Sequence, residues 1–535
     1  MFWADTLRRD IGEKFQKKIA SGQPLVIRDE KTASGRVHIG SLRGVAIHGL
    51  ISEILSEHGI NNTYLFEVND SDPMDDIPPA LDQDTFRPYL GKPLYAIPSP
   101  DGKALNFARY YADEFKGVIK ELGFTPEFYY ASDLYSSGKF NETIRIALEH
   151  AADIRRIYKE VSGGERPADW LPINIICEQC GKVSTTVATD FDGQTVQYAC
   201  KDVTFTTGCG HSGRVSPFDG RAKLPWKVEW AAKFKVLGVD IEGGGKDHST
   251  RGGSRQVADA ISREVFGYPP PFNIPYEFFN IAGKKMSSSK GRGSSSREIA
   301  DILPPELLRL LLLQKEPQRV IEFDPEGDTV PLLYDTYDSF AEKYFSEAGT
   351  SAELSDYART FFLMHSPRQR PALKKHFLPR FSQIAYLIQM PHVSVVAETE
   401  KEKGVPLTAE DAAEIESRQT YARRWLDVYA PEEYKFVIQD HLPEAAGSFS
   451  PEQKKALAVI AEYIAESKKA GQKLDGLAIH TKLHDIKNEI GINPKDFFSA
   501  LYLSILGRPS GPKAGWFLSV LDPDFVVKRL SEASA

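Results

Sequence analysis

Two short stretches about 250 residues apart constrain this chain more than any other feature. The first, Thr32-Ala33-Ser34-Gly35-Arg36-Val37-His38-Ile39-Gly40, follows the apolar run Pro24 to Ile27 and opens a helix. The second, Lys284-Lys285-Met286-Ser287-Ser288-Ser289-Lys290-Gly291, follows the run Tyr276 to Ile281. Each sets polyanion-binding groups just past the carboxyl end of an expected strand. Open α/β sheets bind ligands there, against helix N-termini whose free N–H groups favour negative charge. The pair predicts one sheet built in two halves, with a nucleoside triphosphate between them.

The chemistry agrees. No Gly-x-x-x-x-Gly-Lys-Ser/Thr loop is present, so a P-loop is excluded. Without that cradle, lysines beside small hydroxyl residues supply the positive charge. When an α-phosphate is attacked and pyrophosphate leaves, charge grows on the β and γ oxygens. Lys285 and Lys290 are placed to follow it, with Ser287 and Ser289 beside them, while His38 donates from the helix start. Losing one such donor costs on the order of 10²–10³ in rate. Read singly, His38 is an ordinary helix-start residue, and the serine-rich stretch with Arg292 to Ser296 is a flexible linker. It is the order of the two, each after a strand signal, that argues for a site.

These words resemble the two signatures of the class I aminoacyl-tRNA synthetases, His-Ile-Gly-His and Lys-Met-Ser-Lys-Ser. Ser41 replaces the last His and Ser288 the second Lys, a role that passes to Lys290. With Trp226 to Trp230, Gly245 to Ser249, Pro275 to Phe278 and the late Leu506-Gly507-Arg508 segment, the chain resembles the archaeal-type class I lysyl-tRNA synthetases over most of its length. The resemblance implies an α/β Rossmann-like catalytic core carrying an inserted zinc-ribbon subdomain, plus an all-α C-terminal anticodon-binding domain. It implies ATP with Mg²⁺, L-lysine and tRNA(Lys) as substrates. A monomer is expected.

Site residues carry over position by position. His38, Gly40, Ser41, Lys285 and Met286 fall in the ATP signatures, and Gly245 with Asp247 in the segment that holds the ribose. Lysine needs a slot for its methylenes and a carboxylate for its ammonium, which aromatic faces and an acid provide. The resemblance places Thr32, Trp226, His248 and Tyr276 in that pocket. Glu30 stands where relatives often have Gly, which reshapes or recharges the α-amino contact. Asp70 and Asp72 are further acidic candidates.

All four cysteines, Cys177, Cys180, Cys200 and Cys209, fall within 33 residues. In a chain this long that is metal-ligand rather than disulfide usage. They predict one structural zinc in a ribbon at about 172–216, with Cys200 the least certain ligand and His211 able to replace it or Cys209. No second metal cluster is expected, since Pro93 to Tyr111 contains no His or Cys.

Residues 1–100 read as the first half of the catalytic sheet, with strands at Leu25–Ile27 and Thr63–Val68. Residues 101–222 read as a connective insertion holding the ribbon, and 223–295 as the second half, whose sheet resumes at Lys227–Phe234. Residues 296–380 are expected to form a helical stem-contact region and 381–535 the α-helical anticodon-binding domain. Apolar residues recur at helical spacing in Tyr337, Phe340, Ala341 and Tyr344, and in Leu457, Ile460, Ala461 and Ile464. A net charge of −8 disfavours indiscriminate nucleic-acid binding but leaves room for local basic patches such as Arg423-Arg424. With neither a signal-peptide pattern nor a membrane-length apolar run, a cytoplasmic location is expected. Two rival readings are a synthetase for glutamate or glutamine, with Arg28 and Arg43 as the nearby arginines such a pocket would want, and a non-catalytic RNA-binding paralogue.

Overall fold

The structure, a computed structural model, describes residues 2–285, 294–348, 353–390, 393–472 and 474–535. It divides into two compact units: residues 1–323 with 340–373, and residues 324–339 with 374–535.

The first unit is built on a parallel sheet. Strand β1 (Leu25–Thr32) pairs with β2 (Asn62–Asn69), which pairs with β3 (Glu127–Tyr130). On its other edge β1 receives residues 240–242: Ile241 N–H donates to Val26 and Arg28 N–H donates to Ile241. Phe272 adds the next position by bonding to Asp240 and Glu242, and Gly244–Gly245 continues parallel to Pro275–Tyr276. The spatial order, β3, β2, β1, then the later segments, is that of a doubly wound sheet with its switch point beside β1. The helix Leu42–Glu57, buried along most of its length, covers one face.

Sequence and structure part company in three places here. β1 runs past Ile27 through Arg28-Asp29-Glu30-Lys31 to Thr32, because neighbours on both sides complete its hydrogen bonds and its charges pair inside the fold. And Lys227–Phe234 is no strand: Trp226–Leu237 is one helix, preceded by Pro225 and closed by Gly238 in the left-handed conformation. Val228, Trp230, Ala232 and Phe234 alternate like a strand only because this helix is buried on nearly every side, Glu229 and Lys233 included. Trp226 therefore starts a helix and does not flank a half-sheet. The expected run Tyr276 to Ile281 is split as well. Phe279–Ile281 pairs with Ile321–Phe323 and with Lys284–Lys285 in a separate sheet.

The insertion carries the antiparallel sheet Thr186–Phe191, Val196–Cys200 and Ser212–Val215. The second unit is helical. Pro451–Lys469 opens on a Ser450/Gln453 capping box and packs on Pro523–Ser534, with Leu457, Ile460, Ala461 and Ile464 in its core. No described helix is long and apolar enough to cross a membrane.

Candidate active site

A cavity of about 320 Å³ opens beyond the carboxyl ends of β1 and β2, beside Gly243–Gly245 and Tyr276. All five residues expected to hold the amino acid, Glu30, Thr32, Trp226, His248 and Tyr276, line it. Trp226 stacks on Trp230 at 5.7 Å, and the His248 ring meets both edge-on, at 5.3 and 5.7 Å. Thr32 donates to Asp72 at 2.6 Å, and Asp72 pairs with Lys223 at 2.9 Å. Asp70 is turned to structural use: it accepts from the Ser132 hydroxyl and N–H, and burial raises its pKa despite them.

Beneath the cavity lies a buried network of charges. Arg28 pairs with Glu242 at 2.8 Å, with Glu67 at 2.9 Å and with Glu30. Lys233 bridges Glu67 at 2.6 Å, Glu30 at 2.9 Å and Glu229 at 3.1 Å, and Lys223 meets Glu229 at 2.9 Å. Tyr129 and Tyr135 donate to Glu67 and Glu229, and the Trp230 indole to Glu242. Burial alone would raise the Glu30 pKa, but Lys233 and Arg28 hold it well below the usual carboxylate range. Burial wins at Glu242, whose pKa is raised even beside Arg28. Three cations, Arg28, Lys223 and Lys233, thus face five carboxylates, Glu30, Glu67, Asp72, Glu229 and Glu242. Such a surplus of negative charge around a partly desolvated cavity favours a cationic ligand. Lys31 also lines the cavity, with a pKa lowered by burial against the pull of Asp29.

The first signature meets residues 294–296 through the backbone. His38 caps the short turn Ile39–Ser41, which holds Gly40, before the Leu42 helix. It forms an antiparallel bridge with Ser295; Ile39 N–H donates to Ser294 and Ser296 N–H to Val37. Ser295 then caps the helix Ser296–Ile302 in a capping box with Glu298. Lys285 is placed by its strand pairing with Asn280. Met286, Ser287, Ser289 and Lys290 lie outside the described residues. Gly245 lines the cavity, whereas Asp247 sits exposed in the short helix Lys246–Ser249 and does not line it.

The four cysteine ligands come together. Their sulfurs lie within 4.8 Å of one another, with Cys177 to Cys209 at 3.6 Å and Cys180 to Cys200 at 3.8 Å. A tetrahedron of sulfurs about 2.3 Å from a zinc has edges of roughly 3.8 Å. Cys200 belongs to the group, and His211 is not needed to complete it; its ring packs on Tyr198.

Sequence reasoning missed Asp29, Asn69, Trp230, Glu242 and the network below them. Asn69 donates weakly to Glu229 and leaves its buried Oδ1 without a partner beside the cavity. The available signal was the unbroken charged run Arg28 to Lys31 next to an apolar strand, which makes sense only around a polar site.

Comparison with known proteins gives three kinds of likeness. Residues 1–366 match the family described as tRNA synthetases class I (K). A lysine–tRNA ligase of Methanosarcina barkeri (strain Fusaro) is 34% identical over 552 residues, covering 99% of this chain and 97% of that protein. One from Archaeoglobus fulgidus is 33% identical over 535 residues and covers 100% of both. Among solved structures, a glutamate tRNA ligase from Elizabethkingia meningosepticum is similar at 12% identity and TM-score 0.41, over 96% of this chain and 99% of that one.

Proposed function

The chain belongs to the class I tRNA synthetases of the lysine type, and from that premise we infer that it is a lysine–tRNA ligase. It activates lysine with ATP to lysyl-adenylate and transfers the lysyl group to the terminal adenosine of tRNA(Lys). The observation that carries this reading is the cavity itself, aromatic at one side and surplus in carboxylate.

No side-chain nucleophile is required, because the lysine carboxylate attacks the α-phosphate. Trp226, His248 and Tyr276 enclose the methylenes, while Glu30 and Thr32 stand at the β1 end, nearest the His38 turn. His38, Gly40 and Ser41 form the phosphate-facing turn, where N–H groups and the helix dipole favour a polyphosphate. Lys285 with Met286, Ser287, Ser289 and Lys290 neutralises the departing pyrophosphate; Gly245 and Asp247 serve the ribose. Bound Mg²⁺ would offset phosphate charge. Cys177, Cys180, Cys200 and Cys209 would hold one structural zinc, since four protein ligands leave it no open position. The helical region past residue 380 takes the anticodon. The enzyme acts as a monomer in the cytoplasm.

A glutamate-specific pocket would need free arginines. Arg28 is spent on three carboxylates; Arg43 donates to the Lys315 and Glu316 carbonyls and does not line the cavity. ATP–pyrophosphate exchange across the amino acids tests the proposal. Exchange with lysine alone is expected. Exchange with glutamate and none with lysine would overturn it, and no exchange with any amino acid would favour the RNA-binding paralogue.

A further inference from the structure

We propose that Asp29 holds the side-chain ammonium of lysine. The inference rests on lysine being the substrate. Asp29 lines the cavity, and its side chain is 12% exposed. Every other carboxylate on the cavity wall is already matched by a fixed cation: Glu30 by Arg28 and Lys233, Asp72 by Lys223, Glu242 by Arg28. Asp29 is the exception. Among the described residues no lysine or arginine nitrogen comes within 4 Å of it; its only ion-pair neighbour is the His48 ring, at 3.5 Å.

That ring does not neutralise it. Gly243 N–H donates to His48 Nε2 at 2.7 Å, which requires a lone pair there, and Nδ1 lies 2.7 Å from the Gly44 carbonyl, which requires a proton. Nε2 is therefore the accepting nitrogen and the Nδ1 proton goes first to the Gly44 carbonyl, although, against burial, Asp29 raises the His48 pKa. Lys31 is coupled to Asp29 but stands beyond ion-pair distance, so the carboxylate favours a ligand that brings an ammonium.

Position selects which ammonium. Asp29 precedes Thr32, the last residue of β1, by three residues, about 10 Å of strand. The reacting carboxylate must face the His38 turn beyond that end, so Asp29, set back along β1, is placed for the far end of the substrate. Gly44 does not line the cavity but backs two residues that do: its Cβ would lie 2.8 Å from the Tyr276 hydroxyl and 3.0 Å from Asp29 Oδ2 and would displace them.

Pyrophosphate exchange on the full-length zinc-loaded enzyme tests this, with L-norleucine, which lacks the ammonium, as competitor. Asp29→Asn retains an oxygen for the Glu30 N–H that Asp29 now accepts. It is expected to raise the lysine KM by ~10²-fold or more, leaving the ATP KM and the norleucine inhibition constant unchanged. An unchanged lysine KM, or a parallel loss of lysine and norleucine, overturns the inference. Gly44→Ala favours the helix but crowds the Tyr276 hydroxyl, so its melting temperature is measured beside its kinetics. It should raise the lysine KM about tenfold by the same steric contact; an unchanged value also overturns the inference. Wild-type enzyme that fails to exchange with lysine would sink the parent reading instead.

Discussion

Both units have an apolar core, and they differ in the charges they bury beside it. The helical unit is held by an apolar core: Leu457, Ile460, Phe497, Leu501 and Phe517 are all essentially inaccessible. Its buried ions are few and local, such as Arg418, which pairs with Asp338 and Glu414. The catalytic unit instead buries a connected array of Arg28, Glu67, Lys233, Glu229 and Glu242 under its cavity. Ion pairs of that kind gain little over a packed apolar core, because desolvation offsets the attraction. Their presence under one cavity, with carboxylates in surplus, is better explained by the ligand than by stability.

The sharpest way to break this contrast is metal removal. The insertion has its sulfur cluster in a small subdomain, and apparent zinc binding is worth about 10–16 kcal/mol in comparable small folds. Elemental analysis is expected to find one zinc per chain. Chelation or Cys177→Ser should then abolish the insertion's calorimetric transition while leaving that of the helical unit in place. Retained zinc in the variant would contradict the four-sulfur site.

Next in size is Lys233→Met. It strips Glu30, Glu67 and Glu229 of a shared cation in a site where the lysine is 1% exposed. Breaking a buried pair costs about 3–5 kcal/mol. The melting transition of the catalytic unit should fall, with the helical unit unmoved. A neutral result would mean that the network adds neither stability nor order.

The smallest effect is a pH limb in the helical unit. Burial pushes Glu414 up, but His376, at 3.7 Å, and Arg418 bring its pKa down to about 2. A depressed carboxylate stabilises the fold above its unfolded value, near 4.5, and that share fades as pH falls towards 2. It amounts to at most ~3 kcal/mol. His376 runs the other way: the Glu414 hydrogen bond raises its pKa, so its contribution is full at acid pH and is lost as pH climbs through that raised value. Acid unfolding of Glu414→Gln should show a flattened limb between about pH 4.5 and 2. An unaltered limb would assign the acid sensitivity to other carboxylates.

Much of the fold was legible before any coordinates. Local signals sufficed for the helix Pro451–Lys469 and for β2. They failed for Trp226–Leu237, where all-round burial erased the helical period, and for the second half of β1, whose charges look wrong for a strand. The four cysteines were readable because their spacing matches metal-ligand usage, and the five residues that line the cavity because their segments resemble a known family. Asn69 and Gly44 were not, since nothing adjacent to them in sequence marks them, and Asp29 was marked only as one member of the charged run Arg28 to Lys31.

By itself the sequence determined the parts whose cause is local or compositional: the close spacing of the four cysteines, the helical C-terminal region and the segments that carry the family resemblance. Tertiary structure alone decided which charges cancel. Arg28 meets Glu242, more than two hundred positions away, and Lys233 meets Glu30 at a similar separation. The strength of a charge in a protein depends on burial and on its partners, which are properties of the fold rather than of the residue. Only after that pairing is known does one carboxylate beside the cavity, Asp29, remain to be claimed by a substrate.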